Sequence, residues 1–92
     1  MGGRMIFITF WKFRQKATKE MLALSVKLAE QLPKEGINIV NNYWTLGRYD
    51  LITIAEAKDE RAFMKALLRY GDVFSTETLV GLSREDAIKL VQ

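Results

Sequence analysis

Apolar and polar positions along the chain divide into short runs of strand character and longer runs with helical periodicity. Residues 5–11 are dense in β-branched and aromatic side chains, which is typical of a strand. Residues 16–34 repeat apolar positions at helical spacing, and Pro33 and Gly36 are expected to end this helix. The first third of the chain is therefore predicted to be a strand followed by a helix.

The middle of the chain has the pattern of a β-hairpin. Residues 37–46 and 49–56 are predicted as strands on either side of Gly47 and Arg48, a pair suited to a two-residue type II′ turn. That turn predicts three facing pairs on one side of the sheet: Trp44 with Leu51, Asn42 with Thr53, and Val40 with Ala55.

The last third of the chain repeats the alternation of helix and strand. Asp59 is predicted to cap a helix whose apolar spacing ends at Gly71, and residues 73–82 are predicted as the fourth strand. Ser83 has the position of an N-cap for a short C-terminal helix.

This order of elements predicts an α+β fold of the ferredoxin-like type. Right-handed crossovers between the βαββαβ elements give a four-stranded antiparallel sheet in the order 4-1-3-2, with two helices on one face. We expect residues 1–92 to form a single domain of this kind, with the short C-terminal helix added after the fourth strand.

The first and third strands are apolar on both faces, although a sheet covered on one side needs only one apolar face. We expect four large side chains on the face that the helices leave uncovered: Phe7, Trp11, Trp44 and Leu51. A second copy of the sheet would cover them, giving a face-to-face homodimer or higher homo-oligomer, a dimeric α/β barrel. The alternative is that the C-terminal helix folds over this face and closes a monomer.

The composition excludes several kinds of site. The 92 residues include no Cys and no His, which removes disulfides, thiolate nucleophiles and the usual zinc, haem and Ser–His–Asp arrangements. We therefore expect neither a metal nor a cofactor. Because the longest apolar run is too short to span a membrane, we expect a soluble cytoplasmic protein without a membrane partner.

Positive charge is concentrated at the start of the chain. Five basic side chains precede the first acidic residue, Glu20, and the whole chain carries a net charge of +3. Residues 11–16 interleave aromatic and basic side chains in a pattern that can follow a phosphate backbone. Three charges are too few for a nucleic-acid footprint, so we interpret the segment as a solvated loop whose aromatic side chains pack inward and expect no nucleic-acid partner.

The most distinctive segment is the predicted hairpin tip, Tyr43-Trp44-Thr45-Leu46-Gly47-Arg48-Tyr49-Asp50. Together with the acidic turn at 59–60 and Thr-Glu-Thr-Leu at 76–79, this segment resembles the GYD domain family, with Lys58 where a proline would be expected. The resemblance implies a ferredoxin-like subunit of the dimeric α/β-barrel type and no particular activity. Similar barrels include cofactor-free monooxygenases and isomerases, but choosing an activity from the fold alone is analogy.

Polar residues among the apolar strands form the candidate site. We expect a small-molecule ligand between the two sheets of a dimer, bound by Thr9, Trp11, Asn42, Trp44, Tyr49 and Thr53. Glu77 and Asp50 are the candidate catalytic carboxylates, because an apolar cavity disfavours the charged form and creates an acid or a base. The alternatives are that Glu77 faces solvent on an edge strand and that Asp50 bonds backbone amides of the turn.

The sequence leaves three functions open. The leading hypothesis is a homo-oligomer that binds a small molecule. The second is a cofactor-free enzyme with Glu77 or Asp50 as the base. The third is a purely structural oligomer whose interface is filled by side chains. A cavity lined by aromatic and neutral polar groups would favour binding, whereas a cavity holding Glu77 would favour an enzyme.

Overall fold

The structure, a computed structural model, describes residues 5–92 and places four strands and three α-helices in them. The strands are β1 (Met5–Phe13), β2 (Ile37–Trp44), β3 (Leu51–Ala57) and β4 (Phe74–Gly81). The helices are α1 (Lys19–Gln31), which continues into a 3₁₀ turn at Leu32–Glu35, α2 (Glu60–Arg69) and α3 (Arg84–Lys89). None of these helices is long and apolar enough to cross a membrane.

The four strands form one antiparallel sheet in the order β2-β3-β1-β4, which confirms the predicted ferredoxin-like topology. β1 lies in the middle, and its central residue Thr9 pairs with Thr53 of β3 and with Thr78 of β4. Side chains that alternate along β1 therefore reach both faces of the sheet at its centre.

The helices begin at side-chain caps. Thr18 accepts a hydrogen bond from the Met21 amide at the start of α1, and Asp59 accepts one from the Ala62 amide at the start of α2. The predicted caps Asp59 and Ser83 are both confirmed. α1 begins at Lys19 rather than at the predicted position 16, because the cap at Thr18 satisfies the first-turn amides there.

The hairpin pairs as predicted next to its loop but not at its far end. Trp44 faces Leu51 and Asn42 faces Thr53, while a bulge at Val40 makes Ile39 rather than Val40 the partner of Ala55. The expected pairing of Val40 is therefore wrong, because the extra residue of a bulge shifts all later pairs by one position.

The connection between β2 and β3 is longer than the predicted two-residue turn and spans residues 45–50. The Thr45 amide donates to the Asp50 carbonyl at 3.0 Å, and Gly47 has a φ of 107°. That backbone conformation is one that glycine adopts without strain, which explains the residue at this position.

The core lies between the sheet and the helices, and it corrects the predicted assignment of the two faces. Phe7, Trp11 and Leu51 were expected on the uncovered face, yet they are only 2%, 6% and 7% exposed. The reason is the packing of α2: the ring of Phe63 stacks on Phe7 with centroids 4.5 Å apart and planes 3° from parallel. The buried side chains of this core are Phe7, Trp11, Leu32, Ile37, Leu51, Ala55, Ala57, Phe63, Ala66, Tyr70 and Phe74.

The face that the helices leave uncovered carries the other set of strand side chains. From β1, β3 and β4 this set includes Ile6, Ile8, Phe10, Ile52, Ile54 and Leu79. α3 does not bury itself against this face or any other part of the chain, because all of its residues are exposed. The closed monomer considered from the sequence is therefore not what the structure has, and a wide apolar surface is left open. We call this surface the open sheet face.

The stacked pair of Phe7 and Phe63 generates a stability prediction. Phe7→Ala should lower the free energy of unfolding by about 3–5 kcal/mol, because it removes a buried ring and leaves a cavity between sheet and helix. Urea denaturation at a fixed protein concentration measures the change. Leu46→Ala, at a fully exposed loop position, is the matched control and should change stability by less than about 0.5 kcal/mol. Equal effects of the two substitutions would contradict the placement of the core.

Candidate functional site

A cavity of about 330 Å³ lies between α1 and the sheet and is partly open to solvent. It exists because α1 buries none of its residues, unlike α2, which buries Phe63 and Ala66 in the core. The roof consists of residues from α1: Ser25, Val26, Leu28, Ala29 and Glu30. The floor and walls come mainly from the sheet and the C-terminal end of α2: Trp11, Leu32, Ile39, Asn42, Trp44, Leu51, Thr53, Tyr70 and Phe74.

Aromatic rings form one wall of the cavity in a connected series. The indole of Trp11 meets Phe74 edge to face at 5.1 Å between centroids and lies 6.0 Å from the ring of Tyr70. Phe13 contacts Phe74 and stacks nearly parallel to Trp44, 6.2 Å away. Trp44 is still 56% exposed, so the series runs from the buried interior to the cavity mouth.

Few polar groups interrupt this apolar lining. The Trp11 indole nitrogen donates to Thr53 Oγ1 at 3.0 Å, and both residues are buried. The Tyr70 hydroxyl donates to the Leu28 carbonyl at 3.3 Å, which ties α2's end to α1 across the cavity. Asn42 adds an exposed side-chain amide. A cavity with mostly apolar walls and a few placed polar groups is the usual make-up of a small-molecule site.

The cavity is almost free of charge. Among the lining residues that the structure describes, Glu30 is the single one with a charged side chain at neutral pH. Burial, and after it the neighbouring Glu35 carboxylate, raise the pKa of the Tyr70 hydroxyl above its usual value, and Arg69 opposes the shift. The Tyr70 phenol is therefore neutral across the physiological range and acts as a hydrogen-bonding group.

The structure brings four of the six predicted ligand-binding residues together, but not where the sequence placed them. Trp11, Asn42, Trp44 and Thr53 line the cavity beneath α1, on the covered face of the sheet. The expected location between two sheets is wrong for them, because α2 packs against that face. Thr9 is fully buried outside the cavity, where its hydroxyl lies 3.0 Å from that of Thr78.

Tyr49 and Glu77 form a separate pair on the open sheet face. The Tyr49 hydroxyl donates to Glu77 Oε1 at 2.6 Å, and the Tyr49 ring lies 4.9 Å from that of Phe10. Two positions are open for Glu77 from the sequence, in an apolar cavity on the uncovered face or facing solvent on an edge strand. The structure places it opposite Phe10 on the edge strand β4, with its side chain exposed. The neighbours predicted for the cavity, Thr9, Asn42 and Thr53, lie on the opposite face.

Asp50 has the backbone contacts of a structural turn residue. Its carboxylate accepts a hydrogen bond from the Phe13 amide at 2.8 Å, and its own amide donates to the Trp11 carbonyl at 2.8 Å. These bonds hold the hairpin loop against the end of β1, and Asp50 does not line the cavity. Within residues 5–92, no group of three or more acidic side chains is arranged to hold a metal ion.

The helical pattern predicts Leu28 and Ala29 on the face of α1 that packs on the sheet, but it does not indicate the roof residues Ser25, Val26 and Glu30. Ser25 and Ala29 are both small. Two small residues four positions apart on an inward helical face are the signal that could have indicated a gap beneath the helix. Tyr70 is both buried and part of the cavity wall.

Residues 5–92 match the family described as Domain of unknown function (DUF3303). The chain belongs to this family. The resemblance to the GYD family is not supported by a match of its own and stays a prediction. No curated protein matches the chain.

Solved structures similar to this DUF3303 chain share its fold at low sequence identity. LrpC of B. subtilis is 16% identical with a TM-score of 0.69; the match covers 90% of this chain and 54% of LrpC, so the chain spans about half of that protein. A dimeric ferredoxin-like protein of unknown function from Thermobifida fusca is 16% identical with a TM-score of 0.57. The match covers 88% of this chain and 93% of that protein. A variant of SnoaB, a cofactor-independent oxygenase from Streptomyces nogalater, is 17% identical with a TM-score of 0.55. The match covers 89% of this chain and 94% of SnoaB.

The hydrogen bond between Tyr49 and Glu77 generates a titration prediction. The bond to Glu77 is the largest cause that raises the pKa of the Tyr49 hydroxyl, because the carboxylate holds the phenolic proton. Glu77→Gln should therefore lower the pKa of Tyr49 towards 10.0. Because the pKa of the Tyr49 hydroxyl is higher in the folded state than in the unfolded state, the bond contributes fully to stability at pH values below the unfolded-state pKa. This contribution is lost as the pH rises through the folded-state pKa.

Ultraviolet absorbance of the phenolate, followed from pH 8 to 12, measures this shift. Tyr49→Phe supplies the difference spectrum that separates Tyr49 from Tyr43 and Tyr70. An identical titration of Tyr49 in the wild type and in Glu77→Gln would contradict the bond.

Proposed function

We propose that this chain forms a homodimer through its open sheet face and that each subunit binds a small molecule in the cavity beneath α1. The observation that carries the proposal is the cavity itself, about 330 Å³ in volume and lined mainly by aromatic, aliphatic and neutral polar groups. The cavity and the open sheet face lie on opposite sides of one sheet, so that binding and association do not compete for the same surface.

The open sheet face supports association with a second copy of the chain. Its central residues Ile8, Ile54 and Leu79 form one row across β3, β1 and β4, with Phe10 and Ile52 beside them. Burying about 600 Å² of such surface contributes on the order of 15 kcal/mol before the entropy of association is subtracted. The similar protein from Thermobifida fusca is described as dimeric, which supports this arrangement.

The composition of the cavity supports binding rather than catalysis. The candidate catalytic carboxylates, Glu77 and Asp50, do not line the cavity, and Asp50 is engaged by the backbone of Phe13. A purely structural oligomer would not need a cavity, because a gap of this size leaves side chains without packing partners. The similarity to a cofactor-independent oxygenase extends to the fold, and a base inside the cavity would be needed to argue for the same chemistry here.

The first prediction of this proposal concerns assembly. Ile8→Lys should convert the dimer into a monomer, because it places a charge at the centre of the open sheet face in both copies. Size-exclusion chromatography with light scattering measures the mass. Val80→Lys is the matched control, on the neighbouring strand with its side chain on the other face, and it should remain dimeric. A folded Ile8→Lys dimer would contradict the proposed interface.

The second prediction concerns the cavity. Protein purified from its own host should carry a small non-covalent adduct in a native mass spectrum. Ala29→Phe should lose the adduct, because the added ring occupies space beneath α1. Ala23→Phe makes the same change at an exposed position of α1 outside the cavity and should keep the adduct. A wild-type spectrum without an adduct, or the same amount of adduct on both variants, would contradict binding at this site.

A further inference from the structure

We propose that the ligand is an uncharged, planar bicyclic aromatic molecule whose carbonyl oxygen accepts a hydrogen bond from the Thr53 hydroxyl. This inference rests on the proposed binding function of the cavity and specifies the class of ligand. It joins three observations: a buried donor without an acceptor, a wall of aromatic rings, and a lining with almost no charge.

The first observation is the hydrogen bonding of Thr53. Its side chain is on the cavity wall and the residue is 5% exposed. The Trp11 indole donates to Thr53 Oγ1, which occupies a lone pair of that oxygen. The proton of the Thr53 hydroxyl has no acceptor among the residues that the structure describes. A buried donor without an acceptor is unfavourable, and an acceptor atom supplied by a ligand removes that penalty.

The Trp11 indole also sets the direction of this donor. A hydroxyl can rotate, but a hydroxyl that already accepts a bond from a fixed N–H group directs its own proton elsewhere. The Trp11 ring is held in place by its contacts with Phe74 and Tyr70. The Thr53 proton therefore points away from Trp11, and because Thr53 lines the cavity, this favours a ligand with an acceptor within reach of that hydroxyl.

The second observation is the size and shape of the space. At about 30 Å³ for a group the size of a water molecule, the cavity has room for on the order of ten non-hydrogen atoms. The faces and edges of Trp11, Phe74 and Trp44 lie along one wall, where a flat π system can make offset or edge-to-face contacts. A two-ring aromatic molecule fits both the volume and the wall.

The third observation is charge. The lining contains the Glu30 carboxylate and no Lys or Arg, so an anionic acceptor such as a carboxylate would be repelled and left without a counter-ion. The Tyr70 phenol is neutral as well, as its raised pKa requires. The acceptor that satisfies Thr53 is therefore a neutral one, and a carbonyl oxygen attached to the ring system is the simplest such group.

Two probes of matched size test the inference: 1-indanone, which carries a ring carbonyl, and indane, which is the same bicycle without it. Isothermal titration calorimetry on the wild-type protein should give a Kd for 1-indanone about three- to tenfold below that for indane, the effect of one net hydrogen bond. Equal affinities for the two probes would overturn the inference about Thr53 and leave binding in the cavity intact. Failure of both probes to bind up to their solubility limits would overturn the binding function as well.

Three substitutions locate the donor. Thr53→Val keeps the shape of the side chain without its hydroxyl and should abolish the preference for 1-indanone, whereas Thr53→Ser should retain it. Asn42→Ala removes a second neutral donor of the lining, at an exposed position where water competes, and should also retain the preference. A preference that survives Thr53→Val but is lost in Asn42→Ala would overturn the assignment.

A spectroscopic measurement on the wild type keeps the test independent of the folding of Thr53→Val, which also leaves the Trp11 N–H without its acceptor. The infrared carbonyl stretch of bound 1-indanone should lie at lower frequency than in heptane, because a donated hydrogen bond weakens the C=O bond. Thr53→Ser should keep the lowered frequency. A bound carbonyl at the heptane frequency would overturn the inference.

Discussion

The sheet carries more apolar surface than its own helices can cover, and the rest of the structure depends on this constraint. Side chains of β1 alternate between the two faces, so that Phe7 and Trp11 enter the core while Ile8 and Phe10 lie on the open sheet face. α2 covers the first set, and α3 leaves the second uncovered. The self-association that we propose follows from the same alternation that builds the core, because no further element of residues 5–92 is placed to shield the open side.

The two long helices contribute unequally to the core. α2 stacks Phe63 on Phe7 and provides most of the contact between helix and sheet, whereas α1 buries no residue. α1 is held instead at its C-terminal end, where Leu32 of the 3₁₀ turn is buried and Arg69 forms an ion pair with Glu35. A helix anchored at one end can span a space without filling it, and this leaves the open volume beneath α1.

The sequence predicted what is decided locally and missed what is decided by packing. The caps at Asp59 and Ser83 follow from signals within a few residues, and the strand order follows from the order of the elements and the handedness of their crossovers. The two faces of β1 could not be told apart, because both are apolar, and the choice between them is made by Phe63 on a distant helix. The bulge at Val40 has no signal in the composition of the strand. The spacing of apolar residues along α1 is the same whether the helix contacts the sheet or lies above a cavity.

The hairpin loop makes polar contacts next to both faces of the sheet. Asp50 bonds the backbone of Trp11 and Phe13, fixing the end of β1 at the point where Trp11 faces the cavity. One residue away along the loop, Tyr49 bonds Glu77 above Phe10 on the open sheet face. Each of these polar contacts holds a neighbouring aromatic side chain in one position. In the function that we propose, the loop supports ligand binding and association through β1, and neither role requires Asp50 or Tyr49 to touch a ligand.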